Sequence, residues 1–170
     1  MKRFPMAFGV LLVGVAVSAG QILILSPLLP ATVASHFGTN NRADGFMPRE
    51  AFVAGQWVMT AVISALFLLL PALIRVIPDD MINLPDKEYW LAPERRETTL
   101  RYFADRIYAF GAATLALLAG VTQQVYTANI GGSHTLGSAT GIYIVAFLLY
   151  TGVWVYGLLR RFSRPALPPV

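Results

Sequence analysis

Four apolar runs divide the 170-residue chain, at about 6–28, 51–77, 102–128 and 138–159, with polar stretches between them. A helix that crosses a bilayer needs roughly 20 predominantly apolar residues, and each run meets that length. The pattern predicts an all-α fold: an integral membrane four-helix bundle, a single transmembrane domain. The first run follows Lys2 and Arg3, as a signal peptide would. Its apolar part outruns the roughly 7–15 residues of a signal-peptide core, and no small-x-small cleavage site follows before Pro27 and Pro30. It reads as a retained helix.

The polar stretches differ in character. Residues 29–50 predict a structured loop between the first two helices, with Asp44-Gly45 as turn chemistry and glycine supplying a positive φ. Phe37 and Phe46 would pin that loop against the bundle. In 78–101, Pro93 at a helical first turn with Glu94 and Glu97 nearby predicts a helix start. That gives an interfacial helix before the third span, with Tyr89 and Trp90 at headgroup depth, that then runs into the span. Residues 160–170 form a basic, proline-rich tail with no evident means of packing itself.

Charge sets the expected orientation. Of 13 basic residues, only Arg42 and Arg49 fall on the side of 29–50; the other eleven lie on the opposite side. The positive-inside rule then predicts both termini in the cytoplasm, and 29–50 and 129–137 as outer loops. His36 and His134 both fall on that outer side. The net charge of +4 reflects this topology rather than an affinity for nucleic acid.

Composition agrees with the spans: 56% hydrophobic, 13% charged, mean hydropathy +0.59, against about 25% charged in soluble domains. With no cysteine, this chain supplies no disulfide, thiolate ligand or cysteine nucleophile. No carboxylate sits at mid-membrane, where an ion costs at least about 2.5–3.5 kcal/mol. Arg75, Asp105 and Arg106 lie near helix ends, so a built-in proton relay is not expected.

Polar residues within the spans gather in the outer half. Gln56, Thr60 and Ser64 repeat at i, i+4 and i+8 on the second helix. Gln123 and Thr127 share a face of the third, with Thr122 and Gln124 beside them, and Gln21 sits past the middle of the first. They predict either a small polar cavity or interhelical hydrogen bonds, each worth about 0.6 kcal/mol. Ala112-x-x-x-Ala116-x-x-x-Gly120 and Gly137-x-x-x-Gly141 are small-residue patterns suited to close helix approach.

Candidate chemistry is sparse. His36 with Asp44, and His134 from the second outer loop, have the right donors for a divalent metal. Their spacing matches no tight metal motif, so neither a metal nor any other cofactor is expected. Arg95 and Arg96 with Glu94 and Glu97 suit either a docking patch, for a partner or an anionic headgroup, or a solvated flank with local ion pairs. No phosphate loop, nucleophile elbow, zinc-protease or dinucleotide fingerprint occurs.

Two motifs resemble a known family. Leu29-Pro30-x-x-Val33-x-x-His36-Phe37-Gly38 followed by Asp44-Gly45-Phe46, and then Asn83-x-Pro85, Tyr89-Trp90 and Pro93-Glu94-Arg95-Arg96-Glu97-x-Thr99, are similar to a small bacterial membrane domain of unknown function. That domain opens the SdpI-type toxin-immunity and signalling proteins. The resemblance spans residues 1–128, and the fourth helix shares only general topology. It implies a multi-pass protein of the bacterial cytoplasmic membrane, in a family whose namesake guards its cell against a secreted peptide toxin. His36, Phe37, Asp44 and Gly45 carry over as the outer motif, and Tyr89, Trp90, Arg95, Arg96 and Glu97 as the inner one. The expected function is non-enzymatic: binding a peptide, ligand or membrane partner through 29–50, with Arg42 beside the motif residues. The alternative is an accessory subunit of a larger membrane complex, its tail packed on a partner.

Overall fold

The computed structural model describes residues 6–163. Lys2, Arg3 and the tail from Arg164 onward lie outside the described residues. Among the described residues five α-helices and one β-hairpin follow in order: α1 (Met6–Leu25), β1 (Thr32–Phe37), β2 (Ala43–Pro48), α2 (Arg49–Val76), the single-turn α3 (Lys87–Trp90), α4 (Pro93–Ile130) and α5 (Ala139–Phe162). Four of them, all but α3, are long and apolar enough to cross a membrane. Their surfaces agree. Val13 and Val17 of α1, Val62 and Leu69 of α2, and Leu149 and Val153 of α5 are all more than half exposed, a coat suited to lipid rather than water.

Helix ends follow local chemistry. Proline opens α4 at its first position, where the missing N–H costs nothing, and Gly131 with Gly132 at φ +67° closes it. Pro78 follows Ile77, the last residue bonded back into α2. The only separate helical turn with α geometry between Pro78 and Pro93 is α3; the helix start expected at Pro93 is that of α4, which runs unbroken for 38 residues through the third span. At 1.5 Å per residue that is about 57 Å, far more than a bilayer core of about 30 Å.

The packing is less symmetric than a four-helix bundle. The helix α4 touches α1, α2, α3 and α5, whereas α5 leans chiefly on α4. Leu11 of α1 locks against Ala112 and Leu115 of α4 at mid-height. Gly111 lies so close to Phe67 of α2 that an added Cβ would stand 2.5 Å from its ring. Toward α5, Gly120 sits under Tyr143, and Phe110 meets Phe147 and Trp154. The small-residue pattern on α4 thus serves two partners, Ala112 facing α1 and Gly120 facing α5. The Gly137–Gly141 pattern is not used for packing of this kind: Gly137 precedes α5 and meets Gln124, while a Cβ at Gly141 would touch nothing within 4 Å.

At the end of the bundle where α4 begins, Trp90 is buried with Leu84, Leu91 and Phe162. Trp90 thus fills a small core rather than lying free on the surface. The basic residues Arg160 and Arg161, expected in the tail, fall in the last turn of α5, where Phe162 is 5% exposed and stacks on Phe103 at 5.0 Å.

Candidate functional site

The loop between the first two helices is a β-hairpin, so the fold carries a small two-stranded antiparallel sheet beside its helices. Val33 pairs with Met47, Ala34 with Phe46, and His36 with Gly45 across a bulge. The reversal is made at Gly38–Arg42: Asn41 takes the left-handed conformation at φ 62° and the Asn40 side chain accepts from the Arg42 N–H. Asp44-Gly45 is therefore not the turn. Gly45 is required for close approach, because a Cβ there would stand 2.9 Å from the His36 Cβ.

Three attachments hold the hairpin to the bundle. Val33 packs with Leu29, Phe52 and Tyr126 in a core cluster. Asn129, near the end of α4, uses its amide as a strand would. Its oxygen accepts from the Ala34 N–H at 2.7 Å, and its nitrogen donates to the Ala34 carbonyl at 3.0 Å. The loop after α4 supplies the third: the Ala43 N–H donates to the His134 carbonyl and the Leu136 N–H to the Asn41 carbonyl, both at 2.9 Å. Hairpin and second loop thus form one cap.

On the free side of this cap, His36 Nδ1 and Asp44 Oδ1 are hydrogen-bonded at 2.5 Å, with side chains 75% and 54% exposed. Phe46 is also more than half exposed, with its ring edge-on to His134 at 5.7 Å. Phe46 therefore does not pin the hairpin onto the helices, as the sequence suggests. Phe37 is half-buried and Arg42 is exposed at the turn. His134 meets Phe46 instead of joining His36 and Asp44, and among the described residues no three His, Asp or Glu side chains gather closely enough to hold a metal.

The intramembrane candidates separate. Gln21 donates to the Ala119 carbonyl and to Gln123 Oε1, at 3.0 and 2.9 Å. Thr122 donates to Gln56 Oε1 at 3.4 Å, and Thr60 is buried alongside them. These residues line a seam among α1, α2 and α4 that leaves about 10 Å³ of free space, at the lower limit for a single water. Interhelical bonding describes the seam better than a ligand cavity. Gln124 stands apart from it, against Gly137.

The candidates at the opposite end are internal ties. Arg95 donates to the Tyr89 carbonyl and lies over its ring at 3.9 Å. Arg96 pairs with Asp79 at 3.0 Å, and Glu97 with Arg75 at 2.9 Å and Arg101 at 3.4 Å. Glu97 sits in the charged first turns of α4, ahead of its apolar portion. The hydrogen bond and charge of Arg75 hold its carboxyl below the usual carboxylate range. Together these contacts strap the 78–92 connection onto α4, with the Thr99 hydroxyl donating to the Trp90 carbonyl.

Sequence reasoning missed Asn129 and Tyr126. Its one signal was their position, polar groups in the last turns of a long apolar helix. The chain matches no protein-family model, no curated protein and no solved structure.

Proposed function

We propose that this is a non-enzymatic, multi-pass protein of the bacterial cytoplasmic membrane, both termini inside, that binds a polypeptide through its outer cap. The carrying observation is that His36–Asp44, Phe46 and Met47 stay exposed on a hairpin whose backbone is pinned at Asn129 and at the second loop. A pinned display loses little entropy on binding. The second loop occupies the far edge of β2 only at its start, through the Ala43 N–H. Beyond that no strand pairs with it among the described residues, so an extended peptide can add along Gly45–Met47 by main-chain pairing, with Phe46 and Met47 as apolar anchors. This suits the peptide-meeting role that the SdpI-type motifs imply. A photo-crosslinker at Met47 in native membranes tests it. The expected result is a discrete polypeptide adduct that disappears in His36→Ala while thermal stability holds. No adduct, or a His36→Ala protein that fails to fold, removes the reading.

A second reading, an accessory subunit of a larger complex, is favoured by α5. None of its spanning window is buried, and Gly141 and Gly152, three turns apart on one face, have open space beyond them. Small residues on a free face let another helix approach. A fixed-ratio partner after mild-detergent extraction, with contacts mapping to α5, would favour this reading over the first.

A further inference from the structure

The arginines at the α4 N-terminal end differ in what neutralises them. Arg75, Arg96 and Arg101 have carboxylate partners. Arg106 and Arg161 have none among the described residues. Asp105, next in the chain to Arg106, lines a different groove with Met6 and Val10.

These two arginines nevertheless converge. Arg106 lies over the Tyr102 ring at 5.1 Å and Arg161 over the same ring at 5.5 Å, so their charges are no farther apart than the sum of those distances. Arg161 also lies over Trp90 at 5.1 Å. Trp90 is 7% exposed, and its indole N–H has no acceptor among the described residues. The Arg106 guanidinium lies against α5 at Gly157, where an added Cβ would meet it at 3.8 Å, an ordinary contact. Two guanidiniums that share the Tyr102 ring, with no carboxylate paired to either among the described residues, form a site with N–H donors in excess. A guanidinium stacked on a ring keeps its N–H fork free, and that fork matches phosphate oxygens.

We propose that Arg106 and Arg161 hold the phosphate of an anionic phospholipid where α4 and α5 meet. The lipid, rather than a soluble phosphate, is the occupant because the same turns of α5 carry exposed Val153, Tyr156 and Leu159, an apolar flank on which acyl chains lie. Basic sites between helices at a membrane face bind headgroups in this manner. Tyr102 acts here as a positioning residue for both arginines.

The test is native mass spectrometry on the full-length protein, reconstituted in phosphatidylcholine alone or mixed with phosphatidylglycerol. Phosphatidylglycerol should be retained at least about tenfold over phosphatidylcholine. The preference should vanish in Arg106→Gln/Arg161→Gln and persist in Arg101→Gln, whose cation already has a carboxylate. Excess inorganic phosphate should displace nothing. Equal retention of the two lipids, an unchanged preference in the double variant, or displacement by free phosphate would each overturn the proposal. Should the double variant fold poorly, Arg161→Gln alone decides, since Arg161 is exposed and the ring packing of Trp90, Tyr102 and Phe103 on Phe162 does not depend on it.

Discussion

Asn129 shows how much one polar side chain carries in this fold. Its amide closes the inner edge of β1, and Ala34, whose N–H and carbonyl it satisfies, is wholly buried. In Asn129→Ala those two groups are left unpaired at about 1–3 kcal/mol each. The expected outcome is loss of hydrogen-exchange protection at the Ala34 amide, with the helical content of the bundle unchanged. Full protection in that variant would show that the other two attachments suffice. Neither Asn129 nor the true role of Gly45 was legible from the sequence. Both depend on which backbone or side chain lies opposite, and spacing along one chain does not report that.

Among the elements, the four long helices were readable because each apolar run outlasts any alternative, whereas the hairpin was not. Thr32–Phe37 lacks clean alternation, since Val33 and Ala34 are both buried, one in the core cluster and the other beneath Asn129. Ala43–Pro48 contains Asp, Gly and Pro, residues that strands disfavour. Their pairing comes from docking onto α4 and the second loop. Helix contacts were legible as types of residue but not as pairs, which two glycines separate. Gly111→Ala drives a methyl into Phe67 and should cost about 1–3 kcal/mol. Gly141→Ala meets nothing and should be neutral or stabilising by up to about 1 kcal/mol through helix propensity. Thermal unfolding in detergent compares them directly, and equal effects would contradict the packing described.

For the whole molecule, the decisive quantity is which end faces out. The absence of cysteine makes every introduced thiol unique. Thr39→Cys at the hairpin turn and Asn83→Cys in the 78–92 connection are both exposed. In intact cells, a membrane-impermeant maleimide should label the first and spare the second; the reverse pattern would invert the topology and move the proposed peptide site inside.

The central place of α4 also bears on how the protein is made. During synthesis α1 and α2 enter the membrane before α4 exists, and the hydrogen bonds of Gln21 and Gln56 in the seam are to α4 residues. Until α4 arrives, both amides lack those partners, and the hairpin lacks Asn129. The first half of the chain is thus a biogenesis intermediate that waits for its third span, and the ribosome's progress through residues 93–130 sets the moment at which the protein becomes one object.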